Sequence, residues 1–167
     1  MEYSIVYSSQ TGNTKMLADA LHDVLSADEC TYFGIPEKAD TGSSMEYVGF
    51  WTDKGAADAA ALAYIGSLRG KKVFLFGTAG FGGSQPYFEK IIERMKEHLD
   101  ESNTLVGWYM CQGKMPPSVR ARYEAMKSQP QHPANIDLLI ENFDKALSHP
   151  DEADVSGLIK AVLSLDL

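Results

Sequence analysis

Cysteine is scarce in this chain of 167 residues: Cys30 and Cys111 stand far apart, with no C-x-x-C pair. That excludes a disulfide-built scaffold and a cysteine zinc site, and it suits a reducing compartment. Long apolar runs are also missing. None approaches the roughly 18 residues of a spanning helix, and Met1-Glu2-Tyr3 gives no basic lead into an apolar stretch. The expectation is a cytoplasmic chain with no membrane segment and no secretory signal. Positive charge is short as well, with 15 Lys and Arg against 23 Asp and Glu, a net −8 at pH 7. This argues against nucleic acid or anionic lipid as a partner and is compatible with docking onto basic patches of other proteins. There is no internal repeat, no low-complexity tract and no linker long enough to separate domains. What remains is globular: 44% hydrophobic and 23% charged residues, in a length that suits one domain over residues 1–167.

Strand-like and helix-like stretches alternate from the first residue. The β-rich runs are residues 3–7, 29–33, 47–51, 71–76 and 105–110, the fourth nearly all apolar after its lysines. Leu17, Leu21, Val24 and Leu25 recur at helical spacing, residues 57–68 form an alanine-rich helix, and Phe88, Ile91, Ile92, Met95 and Leu99 line one face of a third. From Pro116 onward the chain reads as helical. One stripe is Ile136, Leu139, Ile140, Phe143 and Leu147; another is Val155, Leu158, Ile159 and Val162, with His149-Pro150-Asp151 as the break. Trp108 is expected on an edge strand, packed under these last helices. Five strands separated by helices predict an α/β fold with a parallel sheet covered on both faces. Ligands of such sheets sit beyond the carboxyl ends of the strands, which groups the loops at residues 8–14, 51–58 and 78–84.

The first of these loops is the most specific feature. Ser9, Thr11 and Thr14 supply hydroxyls, Gly12 allows a tight turn, and Lys15 begins a helix whose N–H groups point back at the loop. Together they form a nest for a phosphate group, built from backbone dipoles and hydroxyls. No G-K-[ST] follows a glycine at Walker spacing, and G-x-G-x-x-G is absent. The plainer alternative is a hydroxyl-rich turn that only caps its helix.

The run Ile5-Val6-Tyr7-Ser8-Ser9-Gln10-Thr11-Gly12-Asn13-Thr14-Lys15 resembles the FMN-phosphate loop of flavodoxins, T/S-x-T-G-N-T after the first strand. The resemblance spans nearly the whole chain. It implies a flavodoxin-like sheet of order 2-1-3-4-5 and one noncovalent FMN, with Ser9, Gln10, Thr11, Gly12, Asn13 and Thr14 around the phosphate. It also implies that Trp51, Thr52, Asp53, Lys54 and Gly55 lie against one face of the isoalloxazine ring. Trp51 either stacks there or simply finishes a strand in the core. Lys54 stands where the family usually has an aromatic. In that family a peptide bond of this loop turns over on one-electron reduction, which Gly55 would permit; an ordinary loop glycine is the alternative. The third loop carries Thr78, Ala79, Gly80, Phe81, Gly82, Gly83 and Ser84 in place of the family's frequent acid and tyrosine. Its glycines would offer N–H groups to the pyrimidine edge with Phe81 on the outer face, or else mark a flexible, more open loop. The missing carboxylate and the added Lys54 should ease reduction, since one charge at roughly 8 Å and dielectric ~20 is worth ~2 kcal/mol. The runs 77–84 and 110–116 are similar to those of a subgroup from anaerobic bacteria, which includes the flavodoxin-like protein encoded beside the gut bilirubin reductase.

The resemblance implies an electron carrier between a reductase and an acceptor enzyme, in which the flavin does the chemistry and no side chain acts as nucleophile or general acid. One alternative is an FMN-dependent reductase of a small substrate, a quinone or a tetrapyrrole such as bilirubin. Another is an accessory subunit that stabilises a partner reductase. Pyridine-nucleotide turnover would mark the enzyme and copurification the accessory. No catalytic residue and no metal ligand is expected. Cys111 reads as a small buried hydrophobe, His22 and His98 as surface or capping residues, and His149 as structural; Asp53 and Asp58 are too few for a metal.

Overall fold

The computed structural model describes residues 1–40 and 42–167. In chain order the elements are β1 (Tyr3–Tyr7), α1 (Asn13–Val24), β2 (Cys30–Gly34), β3 (Met45–Asp53), β4 (Ala56–Ala57), α2 (Ala59–Ser67), β5 (Lys72–Ala79), α3 (Gln85–Lys96), β6 (Thr104–Gln112), α4 (Pro117–Lys127), α5 (Ile136–Ala146) and α6 (Glu152–Leu163). The main sheet runs β2-β1-β3-β5-β6 with every neighbouring pair parallel. This is the expected 2-1-3-4-5 order once the two-residue β4 is set aside. β4 folds back antiparallel on the end of β3, pairing Thr52 with Ala57 and Asp53 with Ala56. Lys54 and Gly55 between them both have positive φ, 53° and 81°, the pattern of a two-residue hairpin whose twist matches its strands. The expected helix at residues 57–68 therefore starts later, at Ala59. Ala57 is held in the ladder, and the Asp58 carboxylate caps the helix by accepting from Ala61 N at 3.2 Å.

Alternation along the strands builds a core on each face. Val6, Val48, Phe50 and Leu75 pack against Ile65, Phe88, Ile91 and Met95 of α2 and α3. Ile5, Tyr47, Phe74 and Phe76 pack against Leu17, Leu21, Leu158 and Val162 of α1 and α6. Each side chain fully buried in this way contributes roughly 1.5–3 kcal/mol. Trp108 corrects the expectation: it joins the cluster on the α2–α3 face, the side of the sheet away from α6. The helices α4 and α5 form a separate hairpin around their own small core of Tyr123, Ile136, Ile140 and Phe143, while Leu147 of the expected stripe is 51% exposed. Among the described residues, no helix is long and apolar enough to cross a membrane.

At the amino end of the sheet, polar groups are buried as a closed network. Ser4 Oγ lies 2.7 Å from Ser43 Oγ, which donates to Glu46 Oε1 at 3.0 Å, and Tyr64 Oη donates to Glu46 Oε2 at 2.9 Å. Burial pushes the Glu46 carboxyl above its ordinary range, against the opposing pull of the Tyr64 and Ser43 hydrogen bonds and of Lys71.

Candidate functional site

At the opposite, carboxyl end of the sheet a cleft of about 460 Å³ opens between the loops after β1, β3, β5 and β6, a volume in the range of small-molecule sites. The β1–α1 loop forms one end. Gly12, at φ 89°, turns the chain into α1 without any side-chain cap. Among the described residues, no backbone N–H from Ser9 to Thr14 reaches an acceptor, the nearest such bonds being Ser8 N to Gly49 O and Met16 N to Gly12 O. Ser9 Oγ accepts from Lys15 N at 3.3 Å. Asn13 is buried and donates from Nδ2 to Lys114 O at 2.8 Å, while its Oδ1 has no partner. The loop thus presents a run of free donors at a positive helix end, beside one orphaned acceptor. Thr14 is turned the other way: its hydroxyl is fully buried, donates to Phe50 O at 2.9 Å and lies 3.2 Å from Thr78 Oγ1. Its side chain belongs to the sheet, and only its N–H faces the loop.

From β3, Trp51, Thr52, Asp53 and Lys54 line the cleft. The Trp51 backbone is fixed at both ends, its N–H donating to Asp58 Oδ1 at 3.1 Å and its carbonyl accepting from Asp58 N at 3.0 Å. Thr52 Oγ1 donates to Thr78 O at 2.9 Å, tying β3 to β5. Gly55 lies outside the lining, and its carbonyl accepts from the Arg94 guanidinium on α3. A Cβ there would come within 2.7 Å of Arg94 Nη1.

Thr78, Gly80 and Phe81 supply the third wall, whereas Ala79, Gly82 and Gly83 are not part of the lining. The Gly80 carbonyl accepts from Asn142 Nδ2 at 2.8 Å and from Gln112 Nε2 at 3.3 Å, and Gly113 N donates to Ala79 O at 3.0 Å. These bonds pin the start of the loop, against the reading of its glycines as a source of slack. Phe81 is 49% exposed at the mouth.

The fourth wall was not among the sequence-predicted site residues. Gly113, Lys114, Met115 and Pro116, then Ser118, Val119 and Arg122 of α4, complete the lining. A signal for the first four was present, since they follow a strand that ends at the same edge of the sheet. Gly113 is required by close approach: a Cβ would lie 2.6 Å from Asn13 Nδ2. The lining carries Lys54, Lys114 and Arg122 against the single acid Asp53.

Elsewhere, Cys111 is buried and burial pushes its thiol far up. His22 stacks on Phe33 with ring centroids 4.3 Å apart. His149 Nδ1 lies 2.6 Å from Asp154 Oδ2 and 3.8 Å from Asp151 Oδ2, in a group whose candidate ligand atoms fall within 4.8 Å. Asp151 and Asp154 form the capping box of α6, so these atoms already serve a helix terminus.

Residues 4–163 match the family model described as Flavodoxin domain. The chain is similar to the flavodoxin-like domain-containing protein BilS of Clostridium symbiosum, 39% identical over 98% of this chain and 95% of that one. A BilS of Clostridioides difficile is 31% identical over 93% of this chain and 90% of that one. In fold it is similar to oxidised flavodoxin 2 of Bacillus cereus, with a TM-score of 0.54 at 20% identity over 97% and 96% of the two chains. Sheet order, helix layers and sequence similarity agree, and the chain belongs to the flavodoxin family.

Proposed function

We propose that the cleft holds one noncovalent FMN and that the protein relays electrons between a reductase and an acceptor enzyme. The observation that carries the reading is the stretch of unpartnered N–H groups from Ser9 to Thr14 at the start of α1, which suits a phosphate dianion. Two further features support it. The buried, orphaned Asn13 Oδ1 fits a hydroxyl donor of a polyol chain. Trp51 and Phe81 on opposite loops offer flat apolar surface to a tricyclic ring. When bound, FMN supplies one- and two-electron redox chemistry; the protein's part is to hold the phosphate, orient the ring and limit water at its inner edge. Gln10 and Thr11 would flank the phosphate, Thr52 and Thr78 brace the floor through their hydrogen bond, and Lys54 would place a positive charge at the rim. No acid–nucleophile pair lies in the lining, which suits a carrier better than a hydrolytic or transferase site.

The test is a flavin titration of the purified apoprotein. FMN should bind at least about a hundredfold more tightly than riboflavin, because charge-assisted bonds at a phosphate are worth about 1.5–3 kcal/mol each. Equal affinities would remove the phosphate nest. Sustained oxidation of NADH or NADPH by the FMN-loaded chain alone would replace the carrier with a reductase.

A further inference from the structure

Three cations stand in the cleft lining of a chain whose net charge is −8: Lys54, Lys114 and Arg122. All three are exposed, and none forms an ion pair among the described residues. Their neighbours behave differently. On α4, Arg120 is held by Asp144 at 2.9 Å and Glu124 at 2.7 Å, and Lys127 by Asp137 at 2.8 Å. Away from the hairpin the pattern is mixed: Lys15, Arg69 and Lys96 are paired with acids, as is Lys145 of α5, whereas Lys38, Lys72, Lys90, Arg94 and Lys160 form no ion pair among the described residues. The hairpin therefore neutralises the cations that face away from the cleft and leaves free the one that faces it. Asp53 is the sole acid in the lining, so this edge carries a local excess of two positive charges. Beside them, Phe81 exposes half of its ring at the mouth. Charge of this kind steers encounter over about a Debye length, roughly 8–10 Å at ordinary salt, and is read locally rather than from the net charge.

We infer that the cleft mouth is a docking surface for the acidic face of a redox partner protein, with Lys54, Lys114 and Arg122 as its cationic contacts and Phe81 at its centre. This rests on the reading of the cleft as a flavin site, and it reverses the polarity that overall composition suggests: the acidic bulk stays turned away while a basic edge meets the partner.

Two probes of defined charge test it on the FMN-loaded protein. Oxidation of the reduced protein by ferricyanide, a trianion, should slow by about twofold or more as ionic strength rises from roughly 100 to 500 mM, a range in which the Debye length stays at or below about 10 Å and the distant acids are screened. Oxidation by tris(phenanthroline)cobalt(III), a trication, should not slow. In the double variant Lys114→Glu/Arg122→Glu the two salt trends should exchange. Ferricyanide oxidation that accelerates with salt in the parent protein would overturn the inference. So would a large loss of FMN affinity in Arg122→Glu alone, which would assign that cation to the cofactor. In the apoprotein, an octaglutamate peptide should shift the backbone NMR signals of residues 114–122 in a salt-sensitive way; unmoved signals would also overturn it. Failure of the flavin reading is distinguishable, because it appears as an absent flavin spectrum while the peptide measurement still reports on the surface.

Discussion

The two ends of one sheet treat buried polar groups in opposite ways. At the amino end, Ser4, Ser43, Glu46 and Tyr64 are all hydrogen-bonded, to one another and to Thr31 and the Met45 carbonyl. At the carboxyl end, the same strands lead into loop N–H groups from Ser9 to Thr14 that have no acceptor among the described residues, with Gln10 and Gly12 open to water, and into the buried Asn13 Oδ1 with no donor. Leaving a buried polar atom unpaired costs about 1–3 kcal/mol. A closed network is thus a device of folding, whereas a buried side-chain atom left open, as Asn13 Oδ1 is, offers a ligand a partner that the fold does not supply. The contrast locates the site without reference to any relative. Among the described residues only one other buried side-chain atom lacks a partner, Tyr123 Oη, and it lies in the helical hairpin that walls the cleft.

The largest expected effect breaks the closed end. Glu46→Ala strands the buried Tyr64 hydroxyl, while Ser43 keeps Met45 O and Ser4 Oγ as partners; it should cost about 2–4 kcal/mol, measured by urea unfolding. The same carboxyl sets a pH dependence. Its folded pKa is raised from the ordinary 4.5, chiefly by burial, so the native state keeps a proton that the unfolded chain releases. Its contribution is complete below pH 4.5 and declines as pH climbs through the raised value; Glu46→Gln should remove that slope from the stability curve. Next in size, at the open end, Asn13→Ala removes both the bond to Lys114 O and the orphaned acceptor. FMN affinity should fall about tenfold to a hundredfold in a fluorescence titration. A pair of threonines sharpens the boundary between the two behaviours. Thr14→Val takes away a buried bond to Phe50 O and should lower unfolding stability by about 1–2 kcal/mol, whereas Thr11→Val should weaken FMN by a few fold with the unfolding midpoint unmoved. Smallest is Asn142→Ala, which frees one of two donors to Gly80 O. It should cost about 0.5–1.5 kcal/mol in unfolding, and no loss at all would mean that Gln112 suffices to hold the loop.

Much of the fold was legible because period and punctuation agreed. Residues 3–7 alternate between two buried faces and end at hydroxyls and a glycine, and the structure places β1 on those five residues. The β3–β4 hairpin escaped notice because Lys54 adopts positive φ, a conformation that its residue type does not advertise. Trp108 lies on the face opposite to the expected one because a half-buried edge strand carries apolar residues on both sides, which erases the alternation that would fix its register. In the site, the β1–α1 loop could be read from spacing alone. The roles within it could not, since nothing in Thr11 and Thr14 tells which hydroxyl turns inward to Phe50. Arg122 was invisible for a different reason: it reaches the cleft only because α4 folds back over the sheet end, a placement set by packing against α5 and not by local pattern.

The α4–α5 hairpin ties the cleft to a timescale. Its core is four buried side chains, Tyr123, Ile136, Ile140 and Phe143, far less apolar surface than either face of the sheet buries. It is joined to the sheet end chiefly through Asn142, which donates to Gly80 O and accepts from Gln112 Nε2 at the end of β6. A unit held so lightly opens at a free energy well below that of global unfolding, and its amides should exchange with solvent sooner than those of β5. One wall of the cleft can therefore come away while the strands keep their register, and the residence time of a bound cofactor should then track this local opening more closely than the stability of the whole protein.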